Sequence, residues 1–401
     1  MKRRAWLQTG LLAAIAGDLP CLGGVEAAPP ADDPLLLDVL SQAGPLVRRV
    51  LAARGTYEPQ IIWTRLKRLA DGSFQKHSEH RLGVQRRRWF TAASFVKLPL
   101  AALLMEQLDR RSLSGDIETL RLAVKDSCAA LPVADPRGWS IASLLRGMLI
   151  VSDNRHYNAL YELLGSDRIH QRLASLGYTD LRMPVRMGGC GSARKAAAML
   201  SDARGLAVWN SPARAPEQPQ RFAYSRALKG RAWQQGPTQI AGAHDFSASN
   251  FIALEDLHQI FLDLTGVVKA APEKSFSLSE NSRATLRTML STLPRNCPAP
   301  LYPETQYPDN HAKFLGFGGA AQRLPAEILI TNKNAESYGY IGDCALIEEP
   351  ARRIAFAATA VVYVNSDGVL NDGRYEYAQV GLPFLRDLGQ ALLTYERENP
   401  A

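Results

Sequence analysis

What this 401-residue chain lacks narrows its function before any motif is weighed. Beyond its first two dozen residues no apolar run is long enough to cross a bilayer. No segment recurs at a fixed period, which sets aside solenoids and propellers. Past Cys21, cysteine occurs only at Cys128, Cys190, Cys297 and Cys344, at spacings that do not suit zinc. The seven histidines do not cluster either, and His77 and His80 read as surface residues of a polar strand. No metal or cofactor is implied. The net charge of +8 is spread along the chain, with one cluster at Arg86-Arg87-Arg88. Without interleaved aromatics or a nucleic-acid fold signature, that cluster reads as a solvated face. The positive balance favours carboxylate-bearing ligands over nucleic acid. In an oxidising compartment the four cysteines allow one or two disulfides, with three pairings open.

What is present begins with an export pattern. Lys2-Arg3-Arg4 precedes Trp6-Leu7 and a short apolar stretch, and small residues at Val25 and Ala27 suit cleavage. The paired arginines resemble a twin-arginine signal over residues 1–27, so the mature protein is expected in the periplasm or secreted. Leu19-Pro20-Cys21 is a poor lipobox, and lipid anchoring at Cys21 is not expected. Hydrophobic periodicity predicts a helix over 35–53 and strands over 60–66 and 74–82. Helices are expected near 98–109, 140–151, 154–164, 254–264 and 281–290. Strands follow over 326–333, 340–348 and 353–364, then a helix over 382–395. Strands at both ends with helices between predict an α+β fold, one antiparallel sheet built from the two termini with a helical subdomain inserted. The expected divisions are 28–93, 94–320 and 321–401. The middle one carries a Pro-, Ala-, Gln- and Arg-rich insertion over about 191–249, long enough to cover a cleft.

Three short motifs carry chemistry. Ser94-Phe95-Val96-Lys97 opens an apolar helix, and residues three apart share a face, so a hydroxyl and an amine can meet there. A lysine among apolar residues loses basicity and can take the serine proton, while first-turn amides favour an oxyanion. Ser152-Asp153-Asn154 follows 58 residues after Ser94, between two helices, where the same residue types also serve as caps. Asn332-Lys333-Asn334-Ala335 ends a C-terminal strand. Each motif alone is commonplace; their order together is not.

S-x-x-K, then S-D-N, then a strand lysine resembles the class A β-lactamase and penicillin-binding serine hydrolases, over roughly 35–398. The tail from Tyr338-Gly339 through Asn371-Asp372-Gly373-Arg374-Tyr375 resembles an exported branch known only as β-lactamase-related. The resemblance implies that Ser94 is acylated, Lys97 is its base, and Ser152 and Lys333 relay a proton. It implies that Asn154 holds the acyl amide and Lys97, that Asn334 meets a substrate carboxylate, and that the backbone amides of Ser94 and Glu336 form the oxyanion hole. The ligand would be a small molecule or peptide, carboxylate-bearing.

Two departures matter. Lys333-Asn334-Ala335 replaces the family's Lys, Thr or Ser, then Gly, so Ala335 is expected to put a methyl group where substrate would lie. The family's deacylating glutamate has no counterpart in 181–190, which contains no acid; Glu162, Asp180 and Asp245 are the nearest acids and read as surface carboxylates. The implied activity is an exported serine hydrolase acting on a β-lactam, cell-wall peptide or small ester. The alternative is a weak or inactive relative that binds peptidoglycan or a protein partner.

Overall fold

The computed structural model describes residues 32–125, 128, 137–190, 196–213 and 227–401. The expected export signal and Cys21 lie outside these residues, as does part of the 191–249 insertion.

The sequence forms α1 (Pro34–Ser41), α2 (Pro45–Ala52), β1 (Gln60–Arg68) and β2 (Phe74–Leu82), followed by α3 (Lys97–Asp109), α4 (Ile141–Ile150), α5 (Asn154–Leu164), α6 (Ser166–Ser175), α7 (Leu254–Leu264) and α8 (Glu280–Ser291). It closes with β3 (Leu329–Ser337), β4 (Tyr340–Glu349), β5 (Ile354–Tyr363) and α9 (Leu382–Glu398). The five strands form one antiparallel sheet in the order β3-β4-β5-β1-β2, so the two ends of the chain do share a sheet. The fold is α+β, as expected. The single helix expected over 35–53 is two, because Pro45 disfavours helical backbone at Gly44 and restarts the helix at its own first position. α6 has no counterpart among the expected helices.

Side-chain alternation divides the sheet between two cores. Along β1, Ile61 and Trp63 pack with α1, α2 and α9, while Ile62 and Leu66 face the helical side. On that side α3 is buried from Lys97 to Leu108, the pattern of a helix enclosed on all faces. Gly342 on β4 brings the start of this helix against the sheet: a Cβ there would lie 2.4 Å from Ala360 O and 3.1 Å from Phe95 Cζ. The residue beside Ser94 thus fixes the helix to the strands that carry Lys333.

The described parts of the insertion are short strands, not helices. Ala198–Ser201 and Ala207–Ser211 join Arg121–Val124 and Trp139–Ser140 in a small sheet, and Ala232–Gln235 pairs in parallel with Val369–Leu370 near the C-terminus. Lys229 adds an ion pair to Glu58 at 2.7 Å. Among the described residues no helix is long and apolar enough to cross a membrane.

Cys128 and Cys190 form a disulfide, whereas Cys297 and Cys344 are buried thiols. Two surface expectations are corrected. Arg86 is half-buried, with its guanidinium on both carboxylate oxygens of Asp256 at 3.0 and 2.7 Å, so it ties the N-terminal segment to α7. His80 is half-buried 3.0 Å from Asp33, the cap of α1.

Candidate active site

Ser94 lies in a 3-10 turn, Ala93–Val96, that runs directly into α3, so Lys97 follows it by one turn. Lys97 Nζ is 2.9 Å from Ser94 Oγ, 3.0 Å from Ser152 Oγ, 2.5 Å from Ser152 O and 2.8 Å from Asn154 Oδ1. Four oxygens surround an amine that has at most three hydrogens, which suits a neutral Lys97 accepting the Ser94 proton. Burial drives Lys97 well below the usual lysine range, the nearby Lys333 charge lowers it further, and Asp153 opposes both.

Ser152 and Asn154 reach Lys97 because Asp153 between them does the capping, accepting from Arg155 N at 2.7 Å and His156 N at 3.4 Å. Helix start and polar constellation are thus the same three residues. Ser152 Oγ also contacts Ser94 Oγ at 2.9 Å and receives Lys333 Nζ at 3.0 Å. Lys333 is buried; desolvation lowers it to about 7, with Asp343 opposing and Lys313 adding to the fall. Asp343 is buried too, and accepts from Asn332 Nδ2 at 2.7 Å and from Phe314 N and Leu315 N at 2.9 and 3.0 Å.

Tyr338 and Gly339, both with positive φ, make the two-residue turn between β3 and β4. Alternation of paired and outward residues from that turn directs the Glu336 amide away from β4 and off the sheet edge. Ser94 and Glu336 line one cleft of about 530 Å³, with Asn154, Val185–Gly189, Phe246, Asn250, Tyr338, Asn371, Tyr375 and Tyr377. Among the described residues, four of the seven non-glycine residues with positive φ, Ala93, Ser152, Tyr338 and Asn371, belong to this cleft or its relay.

The other two expected ligand contacts are placed differently. Asn334 is buried with Oδ1 held by Lys333 Nζ at 2.8 Å, and Ala335 packs its methyl into the core; neither forms the cleft wall. Two of the three acids are corrected as well, while Asp245 is a surface carboxylate as expected. Glu162 is fully buried, accepts from Ala196 N at 2.5 Å and pairs with Arg186 at 3.3 Å, and Asp180 meets Arg86 at 3.2 Å. Asp245 is exposed and bonds Ser247. Sequence reading missed Arg186, Phe246 and the side chain of Glu336 as cleft residues. Phe246 lies in the insertion, where no periodicity guided the reading; Glu336 was legible only as a backbone donor.

A family model described as the β-lactamase enzyme family matches residues 47–214, a span that holds Ser94, Lys97, Ser152 and Asn154 and stops short of Lys333. This match supports the β-lactamase and transpeptidase-like serine hydrolase superfamily. Comparison with curated protein sequences finds no match. Among solved structures, a β-lactamase from Sphaerobacter thermophilus is 17% identical, covering 88% of this chain and 97% of its own, with a TM-score of 0.45. One from Xanthomonas campestris is 16% identical, covering 89% and 96%, with a TM-score of 0.46. A third, from Burkholderia ambifaria, is 15% identical, covering 89% and 100%, also at 0.46.

Proposed function

We propose that this β-lactamase-related chain is a serine acyl hydrolase that forms an acyl-enzyme at Ser94. The observation that carries the reading is the single hydroxyl placed 2.9 Å from both Lys97 Nζ and Ser152 Oγ at the floor of a cleft. Neutral Lys97 removes the Ser94 proton as Oγ adds to an amide or ester carbonyl. The carbonyl oxygen takes its negative charge toward the amides of Ser94 and Glu336; losing one such donor typically costs about 3 kcal/mol in the transition state. Ser152, held by Lys333, passes a proton to the leaving nitrogen or oxygen as the tetrahedral intermediate collapses.

Deacylation is proposed to be slow. The 181–190 loop brings Val185 to Gly189 to the cleft but no carboxylate, and Glu162 is occupied by Arg186. Lys97, 2.9 Å from Ser94 Oγ, is then the group proposed to activate water. Export through residues 1–27 is part of the same proposal, and the Cys128–Cys190 bond fits a protein matured outside the cytoplasm.

Intact-protein mass after exposure to a tagged penicillin tests the reading, with Ser94→Ala as control. A Ser94-dependent adduct that forms slowly and then persists for hours is expected. Rapid release of penicilloate would overturn slow deacylation. Absence of any adduct, with a serine-directed phosphonate also failing to label Ser94, would overturn the hydrolase.

A further inference from the structure

Among the described residues, two charged side chains line the Ser94 cleft, Arg186 and Glu336. Arg186 has its charge answered by buried Glu162. Glu336 has no ion pair and no side-chain hydrogen bond among the described residues. Lys97 and Lys333 stand behind the two serines with their amines committed to Ser94, Ser152, Asn154 and Asn334. Among the described residues that line the cleft, Glu336 therefore carries the one charge without an opposite partner, and it is negative.

That charge is carried by the residue whose amide faces the site, so the carboxylate lies one side-chain length from where a bound carbonyl would sit. Around it the wall is aromatic. Tyr338 packs edge-on to Phe246 at 5.1 Å, and Tyr375 lies against Tyr377 at 5.2 Å. Tyr377 has its hydroxyl taken by Gly339 N at 2.9 Å. Aromatic rings beside a carboxylate are the composition that receives an organic cation.

We propose that Glu336 sets the charge of the substrate: the cleft accepts acyl compounds bearing an ammonium group near the scissile carbonyl and disfavours those bearing a carboxylate there. The inference rests on the acyl-hydrolase reading for the identity of the reacting atom. It reverses the carboxylate-bearing ligand expected from the sequence, so a penicillin, whose carboxylate lies near its scissile amide, should acylate Ser94 more slowly than an ammonium-bearing acyl compound. Glu336 acts on specificity, not as a base.

Electrostatics add a second signature. Although exposed to the cleft, Glu336 is raised above the usual carboxylate range by desolvation alone, as expected where no cation stands close. Among the described residues, the titratable groups that line the cleft with it are Arg186, Tyr338, Tyr375 and Tyr377, with Lys97 and Lys333 bonded to Ser94 and Ser152. Protonation of Glu336 would erase the discrimination.

Three p-nitrophenyl esters of similar length test this: pentanoate, the glutarate half-ester and 4-trimethylammoniobutyrate. Initial nitrophenolate release is compared in the native protein, Glu336→Gln and Glu336→Asp, with Ser94→Ala as background. The native protein should favour the cationic over the anionic ester by at least about tenfold relative to their uncatalysed rates, as one charge in a partly screened cleft provides. Glu336→Gln should remove that preference and Glu336→Asp should retain most of it, both read as the ratio of cationic to anionic ester within one variant, so that any change in oxyanion donation by the residue 336 amide, which acts on both esters alike, cancels. An unchanged charge order in Glu336→Gln, or a native preference for the glutarate ester, overturns the inference. Failure of the neutral ester to react at Ser94 would instead strike the hydrolase reading. The charge inference is then decided by calorimetric binding of benzyltrimethylammonium against phenylacetate. Ammonium binding lost in Glu336→Gln supports it, and equal or reversed binding overturns it.

Discussion

Lys97 Nζ and Lys333 Nζ each stand 3.0 Å from one atom, Ser152 Oγ. Two ammonium groups converging on one hydroxyl repel each other, and burial disfavours charge on both. Burial and the Lys333 charge lower Lys97, while Asp343 opposes the fall at Lys333. Donation can then run in one direction, from Lys333 through Ser152 and Ser94 to the Lys97 lone pair. The arrangement needs one neutral and one protonated amine, so it should have a pH window.

That window gives the first prediction. Lys333 is protonated below about 7 and neutral above it, whereas burial and the Lys333 charge favour the neutral form of Lys97. Acylation of Ser94 by a neutral ester should decline as pH rises through about 7. Lys333→Arg cannot lose its proton in this range and should flatten the decline, though with a lower plateau because the guanidinium does not fit an amine's site. Stopped-flow acylation from pH 5.5 to 9 checks this; an identical limb in Lys333→Arg would assign it to another group.

Ser152→Ala separates relay from scaffold. Its hydroxyl joins Ser94 to both lysines, but its backbone carbonyl, which also holds Lys97, survives the change. Acylation should fall about 10²- to 10³-fold, the usual contribution of a positioned proton donor, while thermal midpoint moves little. A comparable loss of stability would mean that Ser152 mainly holds the turn.

The parts legible from sequence were those with local signals. Apolar alternation located the strands, and 154–164 and 254–264 coincide with α5 and α7 because Asp153 caps one and periodicity bounds the other. The positions of Ser94, Lys97, Ser152 and Lys333 came from spacing. What was hidden depends on chain segments far apart. Glu162 looked like a surface acid because its partner Arg186 lies across the fold. Ala335 was assigned to the cleft because spacing does not reveal which side of an edge strand faces solvent. Arg86 sits in a basic run, and only tertiary packing brings Asp256 to it.

A buried histidine provides a stability test. His258 on α7 bridges Thr64 Oγ1 at 2.9 Å and Thr359 Oγ1 at 2.8 Å between helix and sheet. Burial lowers it to about 4, against 6.5 when unfolded. Between these values the unfolded chain binds the extra proton, so stability rises with pH there and is lost as pH falls. The loss should approach about 3 kcal/mol by pH 4. Urea denaturation of His258→Gln, which cannot titrate, should show a shallower dependence between pH 4 and 6.5; an equal slope would place the effect elsewhere.

Asp343 is expected to be costlier to remove than any group of the relay. It holds two backbone amides and Asn332 in a region without water access, and it supports the charge on Lys333. Asp343→Ala should cost about 3 kcal/mol, since three donors lose their acceptor in the interior. Asp343→Asn keeps one acceptor oxygen and should cost less, while shifting the alkaline limb of acylation to lower pH. Chemical denaturation and the pH profile together distinguish these; a stable Asp343→Ala would remove it as the hub of this corner.

The Cys128–Cys190 bond makes the cleft wall sensitive to thiols. Cys190 follows directly on Val185–Gly189, and Asn158 braces the same loop by bonding Cys128 O at 3.1 Å, Met187 O at 3.2 Å and Met187 N at 2.8 Å. Breaking the disulfide frees a 62-residue separation in the unfolded chain, so stability should fall by about 2–4 kcal/mol. It also releases one end of the wall beside Asn154, and acylation should slow about tenfold through looser positioning. Cys190→Ser and reduction by dithiothreitol should agree in both effects. Asn158→Ala should reproduce the slower acylation with the disulfide intact, because it removes the brace alone. If Asn158→Ala acylates normally while Cys190→Ser does not, the disulfide acts through global stability and the loop is held by something other than Asn158.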